Sequence, residues 1–202
     1  FNITASGASG GNFTASNYNI SYVNGTLTVT QANLTITANN VSTQYGLGTT
    51  LGTTAFTSSG LANNETIGSV VLASSGTANT TNVGSYNITA SGASGGNFTA
   101  SNYNISYANG SLTVTPANIT VTADNQTRPY GALNPTTGNI TVSGTLYNGD
   151  TMSSTANVSS TATNTTAAGQ TANLTPSAAT FTNGLAGNYN IHYTNGTLTV
   201  NP

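Results

Sequence analysis

The segment NITASGASGGNFTASNYNISY occupies residues 2–22, and the same letters return unchanged at residues 87–107. One piece of it comes a third time, as NYNIHYTNG at residues 188–196. The stretch ANLTITA at residues 32–38 likewise returns as ANITVTA at residues 117–123. Repetition at a fixed interval of about 85 residues is typical of tandem modules. The sequence therefore predicts the C-terminal part of a preceding repeat at 1–31 and full repeats at 32–116 and 117–202.

The apolar residues inside each repeat alternate with polar ones, which is the pattern of a β-strand. In residues 17–22, Tyr18, Ile20 and Tyr22 fall on one face and asparagine and serine on the other. An Asn-Gly pair then separates this run from a second alternating run, LTVT at 27–30. Such a pair between two strands is typical of a hairpin, because both residues adopt positive φ. The pattern predicts a closing β-hairpin at residues 24–25, 109–110 and 195–196.

The predicted fold class is mostly β, built as tandem small β-modules of about 85 residues. The pattern leaves two architectures open for a module, β-grasp-like or a small β-sandwich. A helix is plausible only as one short turn per module, after Leu61 and after Leu146, where Glu65 and Asp150 would cap its start or occupy a turn.

The charge content excludes several classes of function. The chain has one basic residue (Arg128), three acidic residues, one histidine (His192) and no cysteine in 202 residues. Binding to nucleic acid or to an anionic membrane surface requires clusters of Lys and Arg. Disulfides and thiolate metal sites require cysteine, and acid–base catalysis requires titratable groups. We therefore expect no enzyme activity, no metal and no cofactor, with Arg128 as a solvated loop residue and His192 on the outer face.

Several motifs recur in the same order in both full repeats: the opening Ala-Asn-Leu/Ile-Thr strand, a Tyr-Gly turn at residues 45–46 and 130–131, an acid-containing turn near Glu65 and Asp150, and the closing NYNIxYxNGxLTV stretch. This order resembles the MBG repeat of the YGX type, which occurs in tandem in large bacterial surface and secreted adhesin-like proteins. The resemblance implies an extracellular spacer or fibre module, and the family supplies no catalytic residue to transfer.

The most informative chemical motif is Asn-x-Ser/Thr, the acceptor pattern for N-glycosylation. The chain holds 30 asparagines and 63 serines plus threonines, from which about nine such motifs arise by chance. It has 19, and covalent N-linked glycans are therefore expected. The alternative is strand patterning alone, because residues i and i+2 of a strand share the solvent face. The candidate sites are Asn2, Asn12, Asn19, Asn24, Asn33, Asn40, Asn64, Asn79, Asn87, Asn97, Asn104, Asn109, Asn118, Asn125, Asn139, Asn157, Asn164, Asn173 and Asn195.

A β-rich surface with almost no charge tends to associate at its sheet edges. Glycans would prevent that association, whereas bare edges would promote assembly with neighbouring repeats or copies of the same chain. We therefore expect a structural repeat segment of an extracellular fibre, stalk or adhesin on the cell surface, N-glycosylated, with strand addition between neighbours. Nucleic acid partners and a membrane span are not expected. The alternative function is an adhesive module that recognises a glycan or host surface, which requires an exposed aromatic cluster.

Overall fold

The computed structural model describes residues 1–202, and the chain consists almost entirely of strands and turns. The N-terminal segment has two short strands that pair with each other, β1 (Asn2–Ile3) and β2 (Gly25–Thr26). The first full repeat has seven strands, which are β3 (Ala32–Ala38), β4 (Val41–Gln44), β5 (Phe56–Ser59), β6 (Ser69–Ala73), β7 (Gly84–Ser94), β8 (Tyr103–Ala108) and β9 (Gly110–Thr115).

The second full repeat has nine strands in an equivalent order. They are β10 (Ala117–Ala123), β11 (Gln126–Pro129), β12 (Thr137–Gly144), β13 (Thr151–Met152), β14 (Thr155–Ser160), β15 (Thr171–Ser177), β16 (Phe181–Asn183), β17 (Tyr189–Thr194) and β18 (Gly196–Asn201).

The strands of the two repeats are joined into sheets differently. In the first repeat β5-β3-β8 form one sheet and β4-β9-β7-β6 form the other. In the second repeat the equivalent strands form one curled sheet of order β11-β18-β15-β14-β12-β10-β17, because β12 pairs with both β10 and β14. The first strand of each repeat pairs in parallel with the penultimate strand, as β3 does with β8 and β10 with β17.

The alternating pattern predicted from the sequence directs one face of each strand into the core. Leu34 and Ile36 of β3 are buried against Ile88 of β7 and Leu112 of β9, while the intervening threonines point outward or lie at the margin. Burying such aliphatic side chains contributes about 1.5–3 kcal/mol each. This cluster takes residues from both sheets of the first repeat, and the mostly-β, tandem-module prediction is confirmed.

The predicted Asn-Gly hairpin is wrong. Strands β8 and β9 do not pair with each other, because the chain passes from one sheet to the other at Asn109-Gly110. Strands β17 and β18 belong to one sheet but have four other strands between them, and β2, which begins at Gly25, pairs with β1. Neither glycine has a positive φ. A Cβ on Gly110 would instead lie 2.5 Å from the carbonyl oxygen of Ala38, so glycine is required here by close approach of two backbones.

The only helical elements are three-residue 3₁₀ turns, and they lie elsewhere than expected. They span Ala15–Asn17, Ala100–Asn102 and Ala186–Asn188. After Leu61 and Leu146 the chain makes turns containing consecutive left-handed residues, Asn63 and Asn64 (φ 53° and 58°) or Asn148 and Gly149 (φ 56° and 78°). A right-handed helix cannot continue through such residues. None of the helical turns has the length or apolarity to cross a membrane.

The N-terminal segment shows how far the strands depend on their partners. Its sequence from residue 2 to 22 is identical to that of residues 87–107, yet Tyr18 is 65% exposed and its counterpart Tyr103 only 5%. In the full repeat, Tyr103 begins β8, which pairs along β3. The N-terminal segment has no such strand beside it, so the same residues form a 3₁₀ turn but no strand at 18–23.

Candidate functional site

The candidate site is the contact between the two full repeats, here called the joint, and Tyr45 lies at its centre. Tyr45 follows β4 in the first repeat, where its backbone N–H donates to the carbonyl of Thr115 at 2.9 Å. Its side chain enters the second repeat and is only 4% exposed. There its ring meets Tyr189 edge-on at 5.5 Å between centroids and Tyr147 at 6.4 Å.

Asp150 accepts hydrogen bonds from two tyrosines inside this joint. The hydroxyl of Tyr45 donates to its Oδ2 at 3.0 Å, and the hydroxyl of Tyr189 donates to the same atom at 2.7 Å. The Tyr189 hydroxyl in turn accepts the backbone N–H of Tyr147 at 2.9 Å. Burial, followed by the hydrogen bond to Asp150, raises the pKa of Tyr189. Asp150 does lie in a turn, but its carboxylate links the two repeats.

The residue after Tyr45 must be glycine for two reasons. Gly46 has φ 89°, a conformation that other residues rarely adopt. A Cβ at this position would also overlap the ring of Tyr147. The Tyr-Gly motif therefore combines an inserted ring with a backbone that lies flat against the next repeat.

Asparagines surround the aromatic contact with direct hydrogen bonds between repeats. Asn148 Nδ2 donates to the carbonyl of Asn79 at 3.0 Å. Asn188 Nδ2 donates to Oδ1 of Asn82 at 2.9 Å, and Asn188 Oδ1 accepts the N–H of Val83 at 3.0 Å. No buried side-chain nitrogen or oxygen of the chain lacks a hydrogen-bond partner, so the joint contains no unpaired buried polar side chain.

In the first repeat, Glu65 and Tyr103 are arranged in the same way as Asp150 and Tyr189 in the second. The hydroxyl of Tyr103 donates to Glu65 Oε2 at 2.6 Å and accepts the N–H of Ala62 at 2.9 Å. The hydrogen bond to Glu65 raises the pKa of Tyr103. The two acids thus occupy equivalent positions, 85 residues apart, and each one anchors the tyrosine that starts the penultimate strand.

All 19 candidate glycosylation asparagines are exposed. Among the other asparagines, only Asn134 and Asn188 are not fully exposed, and neither is an acceptor: Asn134 is followed by proline, and Asn188 by Tyr-Asn. Exposure alone does not distinguish acceptors, since most asparagines of either kind lie on the surface.

The hydrogen bonds of the candidate asparagines are compatible with modification at several positions. Asn40 and Asn125 use their Oδ1 atoms to accept the N–H of Ser111 and of Thr197, each at 2.8 Å, which leaves the Nδ2 atoms available. The structure brings two candidates together, because Asn33 and Asn104 are in register on β3 and β8 and lie 3.4 Å apart through their side chains.

Arg128 is not a solvated loop residue as expected. It lies in β11 and is 4% exposed. Its Nε donates to Asn134 Oδ1 at 2.8 Å, and its Nη1 and Nη2 donate to the carbonyls of Pro129 and Thr163. A guanidinium has five N–H groups in a rigid fork, so it can tie a strand to two loops at once.

The remaining titratable residues are dispersed. His192 is exposed on β17, and Asp124 accepts a hydrogen bond from Thr141. No group of three or more His, Cys, Asp or Glu side chains is arranged to hold a metal ion.

Sequence reasoning missed the joint, although its parts were visible. The Tyr-Gly pair and the acid both recur at the repeat interval, at residues 45–46 with 130–131 and at Glu65 with Asp150. Their meeting across two different repeats depends on the path of the chain, which periodicity does not reveal.

Two consecutive β-modules of one topology, joined through a Tyr-Gly turn, define a tandem-repeat β protein. The family model for the MBG domain (YGX type) matches residues 34–113 and again residues 119–199. The chain therefore belongs to this family, as its motifs predicted. A search of curated proteins finds no match to the chain.

Proposed function

We propose that this chain is a structural, non-catalytic repeat segment of an extracellular fibre, stalk or adhesin, and that its surface is N-glycosylated. The observation that carries the proposal is the joint: Tyr45 of one repeat is buried in the next and bound to Asp150. Repeats that share a core at each junction propagate their orientation along an array. Buried residues of both repeats, among them Ile36 and Ile119, belong to one hydrophobic cluster.

The glycosylation proposal rests on the surface rather than on the motif alone. The exposed faces carry almost no charge, with 2% charged residues in the whole chain. Strand edges without charged residues tend to pair with other edges. Asn104 lies on β8, at the edge of its sheet. A glycan at such a position would hydrate the edge and obstruct pairing.

Geometry limits which sites are occupied together. Neighbouring strands are about 4.8 Å apart, so glycans on the in-register pair Asn33 and Asn104 would collide. We expect one of these two asparagines to be modified in any one molecule.

Strand addition is the second part of the proposal, and the N-terminal segment supports it. Ile3, Leu27 and Val29 are exposed, although their counterparts Ile88, Leu112 and Val114 are core residues of the first repeat. A neighbouring repeat or copy that contributed strands here would bury them.

The adhesive alternative finds no comparable support. The exposed aromatic residues Phe13 and Tyr18, with ring centroids 5.4 Å apart, are the candidate surface for binding a sugar. However, the same pair occurs in the first repeat as Phe98 and Tyr103, where Tyr103 is a core residue. The exposure of Phe13 and Tyr18 therefore follows from the lack of a partner strand.

The test is the intact mass of natively purified protein against the 20.1 kDa of the segment, with glycopeptide mapping. We expect hexose-containing additions on several of the 19 asparagines and none on Asn134, whose Asn-Pro-Thr context serves as an internal control. A bare polypeptide mass would refute glycosylation. The uncharged faces would then be protein contacts, and a filament held by edge pairing would be the remaining form of the proposal.

A further inference from the structure

The second Tyr-Gly turn has the same backbone conformation as the first but no partner. The N–H of Tyr130 donates to the carbonyl of Asn201 at 2.8 Å, as that of Tyr45 does to Thr115. The N–H of Gly131 donates to Asn164 at 3.2 Å, matching the bond from the glycine of the first turn. Yet Tyr130 is 57% exposed, and a Cβ on Gly131 would meet no atom within 4 Å.

A cavity of about 340 Å³ lies beside Glu65 and Tyr103, at the position that Tyr45 fills in the second repeat. Its other walls include Ala62, Asn63 and Val29 of the N-terminal segment. A cavity of about 150 Å³ already accommodates a benzene ring. This one is therefore large enough for a phenol, and Glu65 is one of its lining residues.

We propose that the Glu65–Tyr103 cavity is the binding site for the Tyr-Gly turn of an adjoining repeat, and that the Tyr130–Gly131 turn binds such a cavity in a further copy of residues 32–116. The partner is thus a repeat of this same family, docked head to tail. The inference concerns contacts between repeats and does not depend on glycans or on an extracellular location.

The chemistry of the site selects tyrosine over other aromatic residues. Glu65 already accepts one phenol from Tyr103, as Asp150 does from Tyr189, and a second phenol would complete the same arrangement. Ala62 stands where the second repeat has Tyr147, so it leaves more space, and Glu65, where the second repeat has Asp150, is longer by one methylene group. A phenylalanine would leave the carboxylate with one hydrogen bond fewer.

A hydrogen bond beside the tyrosine ring also supports the binding of the Tyr130–Gly131 turn to the cavity of a further repeat. In the existing joint, Asn148 Nδ2 donates to the carbonyl of Asn79. Asn63 occupies the equivalent position in the first repeat, and Asn164 is the equivalent of Asn79 in the second. Both Asn63 and Asn164 are exposed, so the corresponding bond is available to a docked pair.

The test appends a second copy of residues 32–116 to the full chain after Pro202. The new junction, Pro202 followed by Ala32, reproduces the existing Pro116-Ala117 junction. Tyr130 still occurs once in the extended chain, so its nitration by tetranitromethane can be followed on a single peptide. Reactivity should fall about tenfold, as the exposed fraction moves from 57% toward the 4% of Tyr45.

A matched substitution provides the control. Tyr130→Phe should leave the melting temperature of the 202-residue chain unchanged and lower that of the extended chain, where the hydroxyl reaches the appended Glu65. Glu65→Gln in the appended copy alone should restore part of the reactivity of Tyr130. The proposal is overturned if Tyr130 reacts equally in both chains and Tyr130→Phe is neutral in both, while protection of Tyr103 shows that the appended repeat is folded.

Discussion

The substitution Tyr45→Phe removes one oxygen from the joint and keeps the ring. The lost group is the hydroxyl that donates to Asp150 Oδ2 at 3.0 Å within a site where Tyr45 is 4% exposed. A hydrogen bond to a charged acceptor contributes about 1.5–3 kcal/mol. Because Asp150 keeps the bond from Tyr189, we expect the lower part of that range, about 1.5–2 kcal/mol.

Calorimetry of the purified chain measures this effect. For a protein of this size, 1 kcal/mol corresponds to about 2–4 °C, so the melting temperature should fall by about 3–8 °C. Tyr130→Phe is the matched control, because it makes the same chemical change at the equivalent position of the second repeat. That hydroxyl is exposed, and its loss should change the free energy of unfolding by less than about 0.5 kcal/mol.

A double-mutant cycle with Asp150→Asn isolates the contact between Tyr45 and Asp150. A coupling energy of about 1 kcal/mol or more is expected, since the two groups touch. If Tyr45→Phe and Tyr130→Phe have equal effects, or if the cycle gives no coupling, the claim that this hydrogen bond stabilises the joint is wrong.

Three further outcomes follow from the structure. The pKa of Tyr189 is higher in the folded chain than in the unfolded chain, where it is about 10. The resulting contribution to the free energy of unfolding is complete below about pH 10 and is lost as the pH rises through the folded pKa. Urea unfolding should therefore show stability declining above about pH 10, less steeply for Tyr189→Phe. Gly110→Ala should cost about 1–3 kcal/mol by thermal unfolding, because its Cβ would press on a carbonyl, whereas Gly187→Ala meets nothing within 4 Å and should be tolerated. Arg128→Lys keeps the charge but removes the guanidinium that bonds Asn134 and Thr163, so the free energy of unfolding should fall by about 1–3 kcal/mol in chemical denaturation. An unchanged denaturation midpoint would contradict the role of Arg128 in linking β11 to these loops.

The identical segments 2–22 and 87–107 separate what the sequence encodes locally from what it does not. Both copies form the 3₁₀ turn, at Ala15–Asn17 and Ala100–Asn102, because its hydrogen bond closes within four residues. Only the second copy forms β8, since a strand needs a neighbour that supplies its hydrogen bonds. Periodicity therefore predicted the strands and the faces they bury, but not which strands pair.

The Asn-Gly pairs show why pairing could not be predicted. A hairpin is the most local way to connect two alternating runs, and the motif at Asn109-Gly110 is compatible with it. In the folded chain, however, β8 gains more by pairing along β3, at a separation of 71 residues, than by folding back on β9. The contact of Tyr45 with the second repeat is likewise between residues far apart in the sequence. Its partner Asp150 is 105 residues away, beyond any local pattern.

The parallel pairing of the end strands determines how a repeat responds to tension. In the second repeat β10 pairs in parallel with β17, and β11 pairs in parallel with β18. Between these two ladders the backbone N–H of Thr197 donates to Asn125 Oδ1. Ala117 begins β10 and Asn201 ends β18, so a force that pulls these two residues apart acts parallel to the paired strands. The six residue pairs of one ladder and the four of the other are then loaded in shear, all at once. An antiparallel hairpin pulled from its open end unzips one pair at a time, whereas this connectivity makes each repeat resist extension as a unit.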